Sequence, residues 1–466
     1  MKKLSNYIYL ILGGLTIVFF LFGQGVTWYA IGGDTEAYYI HFRHCIESKP
    51  LYPLFFHVLD LLFGEGLYLY AASVIQMIVA VCCIILFVRF LGKRLKLDNI
   101  SIVMVWIASL FPFYLLLPED PIPHVLMTES FTYPLLYLYV VIVLKGIFDN
   151  RHKYFYFSVL FVILMTMIRG QMLFLVTVSM ASYFYVLIKE NMKKGWKELL
   201  KKTAGKLAVF GVFMLLCVEA ESLLETGYEK LFFNAPKQDF SVQIMVQKAL
   251  YCSDRENADL FSDEIEKEIF ERTYEGMQQI GSTYEFDADG LSKWKYVIAH
   301  LGDNSYLVQD IIEEVLTERG LWSGDAIEQD GQILYYSKQL AEKLIKKNAL
   351  RCLEISVEMM PAGFVSTVLM HKESIYGLIH VATLILYIAA IAGSLLISKW
   401  KGCLLKETEY MLLIVLTAVF NVVASNLIHL GIQRYLAYTV GLFYVGGYLL
   451  ARQLFMIVKQ GKVVNK

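Results

Sequence analysis

The chain has 466 residues, 57% hydrophobic and 18% charged, with a net charge of −1 and a mean hydropathy of +0.52. Soluble domains run near half apolar and a quarter charged, so this composition excludes an ordinary soluble domain and points to a chain embedded in lipid. Lysines and arginines come in short clusters between apolar runs and build no continuous basic face, which gives nucleic acid no footing as a partner.

The first apolar run, from about Tyr7 to Trp28 behind Lys2 and Lys3, is longer than a signal-peptide core and is followed by no small-x-small cleavage site. It reads as a retained membrane helix. Further apolar runs fall at roughly 67–90, 100–117, 128–147, 154–168, 171–188, 206–223, 374–397, 409–428 and 435–458. Lipid offers the backbone no hydrogen-bond partners, so each run is expected to be a helix. The expected fold class is all-α, a polytopic membrane bundle of about ten spans.

Orientation follows from the basic connections, which stay cytoplasmic. These are the N-terminus, Arg89 to Lys96, Lys145 to Lys153, Lys189 to Lys206, Lys399 to Lys406 and the tail from Lys459. All fall on one side in this threading, so both termini are expected in the cytoplasm of a multi-pass plasma-membrane protein. A short basic N-terminus without a transit-peptide signature fits a bacterial membrane. Tyr154 to Ile188 would be about 50 Å long as one helix, against a hydrocarbon core of about 30 Å. A hinge at Arg169 and Gly170 resolves the excess and spares Arg169 the mid-bilayer cost of about 2.5–3.5 kcal/mol.

Three regions result: an N-terminal membrane module over 1–223 with a first outer loop at 31–66, an extracytoplasmic domain over 224–372, and C-terminal spans over 373–466. In the second, Asp263 to Gln279, Tyr306 to Arg319 and Ile333 to Lys347 space apolar residues three and four apart, so this domain is expected to be helical. It carries no phosphate loop, zinc spacing or nucleophile motif. The seven cysteines show no CxxC pair, and Cys252 with Cys352 is the pairing that their positions leave open.

Candidate chemistry starts at Gly33-Asp34-Thr35-Glu36-Ala37-Tyr38-Tyr39. Asp34 can cap a following helix whose apolar stripe is Tyr38, Phe42, Cys45 and Ile46, lying along the membrane interface. As plain structure, Asp34 is an N-cap and Glu36 a first-turn acid; as chemistry, both carboxylates stand where a lipid-linked headgroup would be presented. Arg169 and Arg434 are candidate anion-binding cations, or snorkelling arginines at span ends. Gln433 and Tyr435 could bond sugar hydroxyls, and Glu129 stands in the first turn of a span. His124, in a proline-rich loop with Glu119 and Asp120, could join Glu129 around a divalent metal, although one histidine among scattered acids is also what a solvated loop contains.

With Lys49-Pro50-Leu51-Tyr52-Pro53-Leu54, Met127-Thr128-Glu129-Ser130 and Ile168-Arg169-Gly170-Gln171 in this order after the Asp34 segment, the chain resembles membrane glycosyltransferases of the GT-C superfamily, such as protein O-mannosyltransferases and the aminoarabinose transferases of lipid A. The motifs cover roughly the first 190 residues; the remainder is similar in topology. Two departures are the Asp-x-Glu spacing in place of adjacent acids and a soluble region inserted before the last spans. The resemblance implies a polyprenyl-phosphate-linked sugar donor, a lipid-linked glycan or cell-envelope acceptor, and an extracytoplasmic active site with Asp34 as general base. It implies no firm cofactor beyond the optional metal. Two other readings stand beside it: an outer-face polysaccharide polymerase or ligase, and a lipid-linked sugar flippase or transporter.

Overall fold

The structure is a computed structural model that describes residues 4–22, 29–30, 49–110, 112–115, 124–191, 196–234, 241–284, 293–368, 376–401, 404–429 and 436–464. The elements in chain order are α1 (Leu4–Phe22), α2 (Leu51–Phe63), α3 (Tyr68–Arg94), α4 (Asn99–Leu110), the single turn α5 (Pro112–Leu115), α6 (Glu129–Asp149), α7 (Lys153–Thr166), α8 (Phe174–Asn191) and α9 (Trp196–Phe233). They continue with α10 (Ser241–Tyr251), α11 (Glu264–Gln279), α12 (Lys293–Glu318), α13 (Ala326–Lys347), α14 (Ala349–Ser366), α15 (Tyr376–Lys401), α16 (Lys406–His429) and α17 (Val440–Val464). Among the described residues no strand forms, and the single β contact is a bridge between Ala30 and Val125.

Among the described residues six stretches are long and apolar enough to cross a membrane: Tyr68–Arg94, Glu129–Asp149, Gly170–Asn191, Thr203–Phe233, Lys406–Leu427 and Ala437–Ile457. Apolar helices of 10–17 residues cover Tyr7–Leu21, Asn99–Leu110, Lys153–Thr166 and Ile385–Trp400, within the four other runs read as spans, while Leu51–Phe63 is a fifth. The protein is therefore a membrane-embedded helical bundle. Its faces show why: Leu10, Leu61, Ile100, Leu215 and Phe455 remain exposed on the outer surface, as suits a lipid-facing exterior.

Without a hydrophobic drive between helices in lipid, packing and side-chain hydrogen bonds hold such bundles. The Tyr139 hydroxyl donates to the Leu175 carbonyl at 2.9 Å, and the Tyr137 hydroxyl to the Ser109 carbonyl at 3.0 Å. Trp106 donates its indole N–H to Thr16 at 2.8 Å, and Tyr410 bonds the Leu442 carbonyl at 2.9 Å. Gly146 permits the tight α6–α7 turn, since a Cβ there would lie 2.7 Å from the Phe155 ring.

The helices alternate in direction, which sorts their ends into two groups. One end holds Arg94 paired with Asp149 at 2.6 Å, His152 with Glu190 at 2.9 Å and Lys189 with Glu409 at 2.6 Å. The other holds Glu129, Arg169, the end of α16 and the helical domain, and is called the domain end below.

That domain has its own core of Val246, Leu250, Phe270, Tyr274, Ile312, Leu316, Leu340 and Leu344, contributed by α10 to α13. The three stretches whose periodicity predicts helices lie on α11, α12 and α13. Asp263 caps α11 by accepting from the Ile265 and Glu266 backbones, and Asp325 caps α13 in the same way. The helix expected over 206–223 continues unbroken to Phe233, so α9 carries the seventh span directly into the region read as the soluble domain. Helices α10 and α14 both pack on α16. Gly363 of α14 makes one contact possible, because a Cβ there would meet the Asn426 side chain at 2.8 Å.

Candidate functional site at the domain end of the bundle

Two helices that a single apolar run would have fused are broken where the sequence places its one arginine. Helix α7 stops at Thr166, Arg169 is extended at φ −150° and ψ 113°, and a 3-10 turn over Gly170–Leu173 restarts the chain into α8. The break turns the Arg169 guanidinium onto the first turn of α6. Its Nη1 lies 2.7 Å from the Glu129 carboxylate and donates to the Thr128 hydroxyl at 2.6 Å. Its Nε donates to the Gln171 side chain at 3.3 Å. Gln171 in turn donates to Asn421 at 3.1 Å and Ser425 at 3.2 Å on α16.

The pair is nearly dry, with 11% of the Arg169 side chain and 6% of Glu129 exposed. Coulomb attraction is several-fold stronger in such a medium than in water, and the Glu129 carboxylate also has the N-terminal dipole of α6 behind it. The guanidinium is thereby held at fixed orientation, the condition for a cation meant to meet charge that develops during a reaction.

A second cation lies alongside. Lys49 precedes α2, and the Leu51 backbone N–H donates to the Met167 carbonyl at 3.0 Å, joining this segment to the end of α7. A Cβ on Gly170 would stand 3.0 Å from the Lys49 Cε, so glycine beside Arg169 is what lets the lysine approach. The Lys49 ammonium bonds Glu225 at 2.9 Å and Glu221 at 3.4 Å, both on α9. Burial works against the Lys49 charge, but the field and hydrogen bonds of Glu225 and then Glu221 outweigh it, leaving its pKa above the ordinary lysine value.

Helix α9 is built inside out to supply those acids. Leu215, Leu216, Leu223, Leu224 and Leu231 are exposed, while Glu221, Glu225 and Glu229, spaced by four, are buried. Ionisable side chains at membrane depth face a bundle interior, as here. Glu129, Glu221 and Glu225 thus stand against Lys49 and Arg169 among the described residues.

Of the residues singled out in the sequence, Arg169 and Glu129 are brought into direct contact. His124 is buried close by but turned elsewhere: its Nε2 lies 3.0 Å from the Phe20 carbonyl and its Nδ1 3.3 Å from the Ser73 hydroxyl. A carbonyl can only accept, so Nε2 carries a proton and donates to Phe20. His124 thus ties α1 to α3. Among the described residues no group of three or more His, Cys, Asp or Glu side chains is placed to hold a metal ion. Asp34, Glu36, Gln433, Arg434 and Tyr435 lie outside the described residues, as do Glu119, Asp120 and the helix expected after Asp34.

The flanks of those segments are described. Ala30, four positions before Asp34, pairs with the 124–126 strip, donating to the His124 carbonyl and accepting from Leu126, both at 3.0 Å. Lys49 is the first described residue after the same segment. Beyond Arg434, Tyr438 stacks on Tyr133 at 4.1 Å and shares a 2.9 Å hydrogen bond with Thr132, one turn from Glu129.

Sequence reasoning did not assign Lys49, Gln171, Glu221 or Glu225 to the site. The signal for the acids was the four-residue spacing of Glu221, Glu225 and Glu229 at the end of a span.

The fold and this charged cluster define the protein as an all-α membrane bundle with a buried polar centre at one end. Comparison with protein-family models, with curated proteins and with solved structures yields no match.

Proposed function

We propose that the chain is a membrane glycosyltransferase of the GT-C type, moving a sugar from a polyprenyl-phosphate donor to an acceptor hydroxyl at the extracytoplasmic face. The supporting observation is convergence. The Arg169–Glu129 pair, Lys49 with its two glutamates, and the described flanks of the Asp34 and Arg434 segments all meet at the domain end of the bundle. In this reading that end is extracytoplasmic, and the opposite end, with Arg94, Lys145, Lys153 and Lys189, follows the basic-loop rule into the cytoplasm.

The chemistry proceeds as an inverting displacement. Asp34 takes the proton of the acceptor hydroxyl as its oxygen attacks the anomeric carbon, and the bond to the donor phosphate breaks. A positioned carboxylate base contributes about 10²–10⁴-fold. The departing lipid phosphate needs fixed positive charge. Arg169 supplies one guanidinium, and Arg434 is the second cation of this reading. Gln433 and Tyr435 bind sugar hydroxyls, and Glu36 assists Asp34. Glu129 orients Arg169 and does not touch the donor.

The test uses purified protein in liposomes with a panel of polyprenyl-phosphate sugars. We expect Asp34→Asn to lower turnover at least about 100-fold with donor binding retained, and Arg434→Gln to weaken donor binding more than acceptor binding. Near-normal turnover in a folded Asp34→Asn protein removes the base from the mechanism. If that variant stays active while Arg169→Gln and Arg434→Gln are both dead, an outer-face polymerase or ligase is the better reading.

A further inference from the structure

The helical domain contains a second chemical feature that the proposed transfer does not use. Cys252 continues the last turn of α10, its N–H donating to the Lys248 carbonyl at 3.0 Å. Cys352 lies in the first turn of α14, and the two are separated by the whole of α11 to α13. Both are free thiols, both are buried, and they share one small apolar cluster with Tyr251, Ile355 and Met359. The two thiols are neighbours within that cluster, and each is the largest influence on the other's acidity.

The surroundings hold the helices together on either side of the sulfurs. On one side the Arg351 guanidinium donates to the Cys252 carbonyl at 3.0 Å and lies over the Tyr284 ring at 4.9 Å. On the other the Lys248 ammonium bonds Ser356, and the Ser356 hydroxyl donates to the Cys352 carbonyl at 2.8 Å. Lys248 also donates to the Leu427 carbonyl at 2.9 Å and the Asn426 carbonyl at 3.2 Å, near the end of α16. The thiol pair therefore sits where the helical domain grips the membrane helix that leads into the Arg434 segment.

We propose that Cys252 and Cys352 are a disulfide-forming pair, which closes by thiol–disulfide exchange with a small-molecule disulfide and joins α10 covalently to α14. The thiolate of Cys352 attacks one sulfur of the incoming disulfide and expels its other half as a thiolate. The Cys252 sulfur then gives up its proton, attacks the Cys352 sulfur and expels the second half. Two chain thiols become one disulfide, and one external disulfide becomes two thiols, so electrons and protons balance. Cys352 is the attacking sulfur because the neighbouring Cys252 thiol, with the charges of Lys248 and Arg351, lowers its pKa despite burial. Cys252 is shifted upward, first by the neighbouring Cys352 and then by burial. The thiol pair does not depend on the sidedness proposed above; its oxidation in the cell does.

The experiment equilibrates the purified full chain with oxidised and reduced glutathione at a series of ratios, quenches with acid, unfolds it, and alkylates with a maleimide for peptide mass spectrometry. Toward the oxidised end, labels on Cys252 and Cys352 should disappear together, with one cross-linked peptide joining 252 to 352. Cys252→Ser should instead leave Cys352 carrying one glutathione. Labels on 252 and 352 that persist at every ratio, or disappear into pairings with other cysteines, overturn the proposal, and this arm needs no variant to fold. A second arm acid-quenches whole cells. The disulfide found there supports both the pair and the outer placement, whereas a reduced pair in cells that cross-links when purified supports the pair and overturns the sidedness.

Discussion

The two ends of the bundle are built from the same residue types and use them differently. At the end opposite the domain, Arg94 and Asp149 lie 2.6 Å apart with 36% and 20% of their side chains exposed, and His152 and Glu190 are similarly wet. These two pairs are partly solvated, whereas Lys189–Glu409 at the same end is drier, with 2% of the Glu409 side chain exposed. At the domain end the Arg169–Glu129 pair is drawn inward, and its hydrogen-bond chain runs through Gln171 to α16. The first arrangement is what exposed helix ends at a bundle boundary accommodate at little cost. The second places polar side chains where burying charge is costly, and such sites are kept for function.

The largest predicted effect breaks this contrast at its centre. Arg169→Ala strands the Glu129 carboxylate in a nearly dry site, and removing one partner of a buried pair costs about 3–5 kcal/mol. Thermal unfolding in detergent micelles should show the loss. Arg169→Ala combined with Glu129→Gln should recover part of it, because the stranded charge is gone. No recovery in the double variant would mean that the two side chains do not act as a pair.

How much of this was legible in the sequence depends on chain distance. The Arg169 hinge follows from one run being too long for one crossing, and α7 ends at Thr166 with a 3-10 turn at Gly170. Helices α11 and α13 follow from periodicity, and the structure adds their Asp263 and Asp325 caps. These are local signals, complete within two or three turns. The Lys49–Glu225 pair spans 176 positions, and no local pattern links a lysine before a short amphipathic helix to acids on a distant span. Context also hid both acids, since Glu221 lies at the end of the run read as a span and Glu225 at the start of the region read as a soluble domain. In the structure α9 simply continues, turning those acids inward. His124 is a further case: its ring contacts the Phe20 carbonyl and Ser73, partners 104 and 51 positions away that only folding brings together.

The next effect sharpens the contrast by testing Lys49. Lys49→Met removes the cation from Glu225 and Glu221, and hydrogen bonds to charged groups contribute about 1.5–3 kcal/mol. Because the folded pKa of Lys49 is raised, its contribution is fully present below the unfolded lysine pKa and is lost only as pH rises through the higher folded value. The stability difference between wild type and variant should therefore be flat from about pH 6 to pH 9. A difference that fades with rising pH inside that window would remove Lys49 from the buried cluster.

At the opposite end, packing should matter more than charge. Gly146→Ala drives a methyl into the Phe155 ring, and overpacking costs about 1–3 kcal/mol. Arg94→Ala, by contrast, removes an ion pair whose cation is more than a third exposed, and such pairs contribute about 0.2–1 kcal/mol, less in salt. Raising the salt concentration should therefore erase most of the small Arg94→Ala effect while leaving the Gly146→Ala and Arg169→Ala losses in place. If Arg94→Ala proved as damaging as Arg169→Ala at every ionic strength, the two ends would be electrostatically alike, and the domain end would lose its standing as the buried polar centre.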